Sequence, residues 1–255
     1  MNEKQSIFET IAQSWQYFAA LVILVVFAFV ITLAVEKVAA RKEGKQDQKL
    51  LSVRKMAIIG VFSAVSFVLM LLEFPLPFAP SFYKFDFSDM PALVGGFAAG
   101  PFAGVMVEFI KILLKLIIKG TSSGFVGEIA NFVVGTSFIL PATIIYRLHK
   151  TRKVALVSCI VGTLFITLVG SLLNAFFLLP AYAVIYGCDI NMFVEMGTTI
   201  NPAIKNITTF CLLAVAPFNL VKGIVDSVIT FALYKHISPI LKGNSRSAKA
   251  STSAE

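Results

Sequence analysis

The chain has 255 residues, of which 57% are apolar and 14% charged, and a net charge of +8. Soluble domains of this size are nearer half apolar and about a quarter charged, and the mean hydropathy of +0.85 leaves no stretch from which a soluble ATPase or catalytic domain could be built. The positive balance could suggest nucleic acid, but the basic residues flank long apolar runs, where membrane topology puts them, so no nucleic-acid partner is expected.

A spanning helix needs about 20 apolar residues, which gives room for roughly six or seven. The first apolar run covers 14–35 without a charge. The apolar core of a signal peptide is about 7–15 residues long behind a positive segment. Here the core is longer, and Lys4 is offset by Glu3 and Glu9. An uncleaved helix is expected, with Trp15 and Tyr17 at the interface. A basic linker follows, from Glu36 to Lys55. Further spans are expected at about 54–73, 89–100, 101–118, 124–146, 153–185 and 208–236. The segment 89–100 is short, with a rise of about 18 Å, and Gly100-Pro101 separates it from its successor. The two read as a tightly turned hairpin, which is tolerated at membrane depth when buried in protein or lining a cavity.

Lys and Arg are distributed unequally. The linker 36–55, the loop 146–153 and the C-terminal tail carry fifteen, against four (Lys4, Lys84, Lys119 and Lys205) on the other side. The positive-inside rule then places the N-terminus outside and the C-terminus in the cytoplasm, which suits seven spans.

Between the second and third spans lies an aromatic, proline-rich loop from Glu73 to Asp89. Pro75, Pro77 and Pro80 favour an extended path. Phe74, Phe78, Phe82, Tyr83 and Phe85 offer flat apolar surface suited to a planar ring system, or else an interfacial belt. Asp86 and Asp89 fit as caps of the following short helix. Polar residues also interrupt the spans. Glu108, Lys111 and Lys115 share one helix face, as do Asn219, Lys222 and Asp226. An ionisable group at the bilayer centre costs about 2.5–3.5 kcal/mol, so pairing is expected for Glu108 with Lys111 and for Lys222 with Asp226, or snorkelling at the helix end. Asn131, Asn174 and Asn219 bring amides with two donors and two acceptor lone pairs each. They serve either helix contacts or the polar edge of a ligand. With Lys222 they suit a neutral, hydrogen-bonding ligand.

Ala57, Gly60 and Ala64 form a small-residue stripe on which another helix can approach closely. The Lys119-Gly120-Thr121 run lacks the glycines of a phosphate-binding loop. Cys159, Cys188 and Cys211 have neither disulfide nor metal spacing. No catalytic motif is present, and His149 and His236 sit at helix ends.

Several segments together resemble the substrate-binding S-components of energy-coupling-factor (ECF) vitamin transporters, and in particular the riboflavin-specific branch. They are Phe85-Asp86-Phe87-Ser88-Asp89-Met90-Pro91, Gly95-Gly96-Phe97-Ala98-Ala99-Gly100-Pro101, Val107-Glu108-Phe109-Ile110-Lys111, Lys119-Gly120-Thr121, Gly127-Glu128-Ile129-Ala130-Asn131-Phe132 and Pro217-Phe218-Asn219-Leu220-Val221-Lys222-Gly223. The resemblance implies an all-α membrane bundle of six helices over 53–241, with an extra N-terminal helix and linker over 1–52 and a polar tail over 242–255. It implies a non-enzymatic protein of a bacterial cell membrane that takes up riboflavin, without a cofactor. Asn174, Asn219 and Lys222 are the implied ligand contacts, joined by Phe85, Asp86, Phe87 and Ser88. The implied partners are a transmembrane coupling subunit, docking on Ala57, Gly60 and Ala64, and two cytoplasmic ATPases. The chain departs from the six-helix pattern through its first helix. Other readings are an S-component for another vitamin, a secondary transporter, or a membrane enzyme using Asp86, Asp89 or Glu108.

Overall fold

The computed structural model describes residues 15–42, 51–121 and 123–251, with the side chains of the last helix as far as Leu233. Expectations that fall on Glu3, Lys4, Glu9, Ser14, Lys45, Lys49 and Ser122 lie outside the described residues. The elements are α1 (Trp15–Lys42), α2 (Val53–Leu71), β1 (Phe74–Pro75), β2 (Lys84–Phe85), α3 (Asp89–Ala99), α4 (Pro101–Lys119), α5 (Val126–Leu148) and α6 (Arg152–Leu173). A π-helical segment, π1 (Asn174–Leu178), joins α6 to α7 (Leu179–Tyr186). Then come α8 (Asn191–Ile200), α9 (Ile207–Phe210), a second π segment, π2 (Cys211–Val215), and α10 (Ala216–Ser251).

Five helical stretches among the described residues are long and apolar enough to cross a membrane alone: 15–41, 53–71, 126–148, 152–186 and 207–233. The outward sides of these helices carry large apolar residues, such as Val61, Leu164 and Leu168, which suits contact with lipid. The hairpin of α3 and α4 completes the bundle. Its helix α3 has only 11 residues and is a central peg packed against α2, α4, α5 and α10. The turn needs Gly100, whose φ is +96°, a region that side chains rarely enter. Pro101 then starts α4, where its missing N–H costs nothing. The two arms approach through Gly96 and Gly104. A Cβ on Gly104 would lie 2.7 Å from Ile139 Cγ2 and 3.1 Å from Gly96 Cα.

Capping sets two of the long helices. Ser52 accepts from the Lys55 amide at 3.3 Å to start α2, and Thr151 accepts from the Val154 amide at 3.3 Å to start α6. Such caps satisfy amides that a helix start leaves unbonded. Asp86 and Asp89 do not cap α3 as expected. Ser88 occupies the cap position without a side-chain bond, and Asp86 accepts from the Ser88 amide at 2.8 Å in a local turn. The expected spans 153–185 and 208–236 are each continuous helices, but each contains a π segment, and α10 continues helical past residue 241. The helix α8, beyond the end of the sixth expected span, carries no strong apolar signature and was not foreseen.

Candidate ligand-binding site

The two π segments touch each other and set the amides of the site. A π segment adds a residue to a helical turn and is often found where a side chain must be re-aimed. Asn174 opens π1. Its Nδ2 donates to Gly170 O at 2.7 Å, and its Oδ1 accepts from the Tyr83 hydroxyl at 2.6 Å. Asn219 follows π2, and its Nδ2 donates to Val215 O at 3.0 Å. Gly170 makes room for it, since a Cβ there would lie 2.8 Å from Asn219 Nδ2. Each amide therefore keeps hydrogen-bonding capacity after its local bonds.

The proline-rich loop folds over this place. Phe74 pairs with Phe85 and Pro75 with Lys84 in a two-residue antiparallel ribbon. Phe85 is buried with Ala79 and Phe218, and Phe74, Phe85 and Phe87 pack ring against ring. Tyr83 instead turns toward the bundle, with its ring 5.6 Å from that of Phe218. Desolvation holds its phenol well above the ordinary value of 10, helped by nearby Cys211 and Tyr182, so it stays a neutral donor to Asn174.

Beneath the loop lies an ionic cluster drawn from one loop and three helices. Lys111 is fully buried. It pairs with Asp89, lies 2.7 Å from Glu108 Oε1 and donates to Ser88 Oγ at 2.8 Å. Lys222 reaches Asp89 Oδ2 at 3.1 Å and Asp86 Oδ2 at 3.3 Å. Asp89 thus joins both lysines. The expected pair of Glu108 with Lys111 forms, and Lys111 does not snorkel, because carboxylates at its own depth hold it. The expected pair of Lys222 with Asp226 does not form among the described residues, because Asp86 and Asp89 face Lys222 across the helix interface. Neither carboxyl oxygen of the buried Asp226 has a hydrogen-bond partner among the described residues. Lys115 lies 3.6 Å from Glu73, at the end of its helix.

A cavity of about 780 Å³ opens between these groups, within the range of about 300–1,000 Å³ usual for small-molecule sites. Asn131, Asn174, Asn219, Lys222 and Asp86 line it together. Phe82, Tyr83, Tyr182, Phe193 and Phe218 supply aromatic walls. Its rim includes Glu73 among Lys84, Lys115 and Lys119. Burial pushes the Glu73 carboxyl up, but the lysines outweigh it and hold the group below its ordinary value. On the other side of the rim, Glu128 accepts from Thr121 at 2.9 Å and Ser123 at 3.1 Å.

Of the residues expected at the site, Asn174, Asn219, Lys222 and Asp86 are brought to the cavity. Phe85, Phe87 and Ser88 are not among its lining: Phe85 and Phe87 build the loop's apolar packing, and Ser88 serves Lys111 and accepts from Ser66 Oγ through its carbonyl at 2.8 Å. Sequence reasoning missed Tyr182, Met192 and Phe193, which reach the cavity from α7 and α8. The available signal was the aromatic pair Tyr182 and Tyr186, four residues apart on one helix face. Among the described residues no group of His, Cys, Asp and Glu could hold a metal ion.

A multi-pass helix bundle with a ligand-sized, amide- and aromatic-lined cavity near one end defines a membrane protein that can hold a small molecule. The chain belongs to the substrate-specific components of ECF transporters, whose family model matches residues 54–234. It is 37% identical over 190 residues to the riboflavin transporter FmnP of Bacillus subtilis (strain 168), covering 74% of this chain and 94% of that one. It is 34% identical over 200 residues to the riboflavin transporter RibU of Staphylococcus aureus (strain TCH60), covering 78% and 98%. A solved S component of a bacterial ECF transporter superposes with a TM-score of 0.57 at 34% identity, covering 74% of this chain and 98% of that one. The chain is therefore a multi-pass cell-membrane transport component and not an enzyme.

Proposed function

We propose that this protein captures riboflavin from outside the cell in the cavity between α4, α5, π1, α7, α8, α10 and the proline-rich loop, and releases it inward when joined to an ATP-driven module. The observation that carries this reading is the convergence of three amides, Lys222 and several aromatic rings on one cavity of about 780 Å³. Riboflavin is planar and uncharged, with carbonyl and imide edges and a hydroxylated tail. Aromatic walls suit its ring system, and the amides suit its edges. A site of buried polar groups rejects analogues that leave those groups unpaired. The names of the relatives support the vitamin class.

In this reading Asn174, Asn219 and Lys222 contact the ligand. Asp86 holds Lys222, while Phe85, Phe87 and Ser88 support the loop. The cavity end faces outward and the basic ends of α2, α5 and α6 face the cytoplasm, following the distribution of Lys and Arg. The bundle over 53–241 is the binding domain of six helices, with α1 as a seventh. Ala57, Gly60 and Ala64 are all exposed on α2, which suits close approach by a transmembrane coupling subunit, itself bound to two ATPases.

The test is flavin binding by the purified protein. Stoichiometric quenching of flavin fluorescence is expected, and Asn219→Ala and Lys222→Ala should each weaken it by about tenfold or more. No flavin binding by the wild type, with another vitamin bound in a competition panel, would overturn the specificity. Wild-type affinity in both variants would remove the assigned site.

A further inference from the structure

The helix α1 lies outside the matched family region, which begins at residue 54. The relatives use 94% and 98% of their own length in matches that cover 74% and 78% of this chain, so they have almost no length left for a counterpart. A uniformly apolar helix gains little by leaving lipid for protein, because both sides are equally apolar. Its position must therefore come from shape and from polar contacts.

Both are present on one face. Leu21, Thr32 and Glu36 are buried on a helix whose other residues are exposed or half-buried. Phe29 stacks on Phe132 of α5 at 5.6 Å and meets Phe109 of α4 edge-on at 5.5 Å. Seven residues further along the same face, Glu36 is only 6% exposed. Its Oε1 lies 3.1 Å from Lys55 Nζ on α2, and its Oε2 pairs with Arg147 of α5. The same carboxylate lies over the α3–α4 turn, where a Cβ on Gly100 would come within 2.9 Å of Oε1. One side chain thus touches the ends of α2, the hairpin and α5. These ends lie at the opposite end of the bundle from the cavity, which is lined by Met70, Lys119 and Glu128 at the other ends of α2, α4 and α5.

We propose that the α4–α5 face is a docking surface for an apolar helix carrying a single carboxylate, and that α1 fills it permanently, with Glu36 setting its register against Lys55 and Arg147. The partner is this chain's own first helix. The face is then closed to any other membrane subunit, and the brace acts on the bundle without taking part in capture. This inference does not depend on which ligand the cavity takes.

The test uses the full chain in detergent. Glu36→Lys and Arg147→Glu should each lower the melting temperature by about 5 °C or more, since each leaves a buried charge facing its like. The double swap should recover most of the loss, and ligand affinity should stay within about twofold, because the altered charges lie outside the site. In a Cys188→Ser background, with the buried Cys159 and Cys211 retained and no charge variant, a maleimide should label Thr32→Cys far more slowly than Val26→Cys. Wild-type melting in both charge variants, failure of the swap to recover stability, or equal labelling of the two cysteines would each overturn the proposal. The labelling arm needs no charge variant to fold.

Discussion

The two ends of the bundle each bury carboxylates among cations, yet they are built differently. At the cavity end, Asp89 joins Lys111 and Lys222, which are 0% and 8% exposed at the side chain. At the other end, Glu36 joins Lys55 and Arg147, which are 17% and 20% exposed. Removing one partner from a desolvated network strands the rest, whereas partly hydrated cations can turn back to water. The first cluster therefore belongs to the folding and shape of the site, and the second holds a helix in place.

That contrast predicts a ranking. Asp89→Asn should be the most damaging, costing about 3–5 kcal/mol because two buried ammonium groups lose their shared partner. Denaturation in detergent and flavin titration should both register it. Asp226→Asn, only a few residues from Lys222, should cost little or raise the melting temperature, because its carboxyl oxygens have no hydrogen-bond partner among the described residues. Equal losses in the two variants would show that the cluster is held by its net charge and not by its specific pairs.

Next in size is Gly170→Ala, expected to weaken ligand binding about tenfold by pushing the Asn219 amide aside, with less effect on stability than Asp89→Asn. An unchanged affinity would mean that the position of Asn219 does not matter. Tyr83→Phe should lower affinity severalfold while melting like the wild type, because it frees Asn174 Oδ1 without opening a hole; isothermal titration would measure this.

The smallest effects belong to the rim. Lys84 is 51% exposed at the side chain where it meets Glu73, so Lys84→Ala should change stability by about 0–1 kcal/mol. The Glu73 carboxyl is held below its ordinary value of 4.5 in the folded protein. Its contribution is therefore fully present above pH about 4.5 and is lost as pH falls through the lower folded value. A melting profile should be flat in this respect near neutrality, and Glu73→Gln should shrink the acid-side loss.

Much of the site was visible in the sequence because membranes make polar residues conspicuous. Asn131, Asn174, Asn219 and Lys222 interrupt apolar runs, and all four reach the cavity. The aromatic loop was equally visible, but the roles within it were not. Phe85 and Phe87 turn into the loop's own packing while Tyr83 turns to Asn174, and no local pattern separates these outcomes. Likewise Lys222 and Asp226 have the spacing of an intrahelical pair, yet Asp86, 136 residues away in sequence, takes the lysine.

The sequence by itself determined the membrane class, the long apolar spans and the Gly100-Pro101 hairpin, because these follow from apolar length and from local backbone chemistry. Only the tertiary structure decided which carboxylate each buried lysine meets, where the two π segments aim their amides, and that α1 is docked on the bundle. Those outcomes depend on which faces of distant helices come together, and a uniformly apolar sequence carries no record of that.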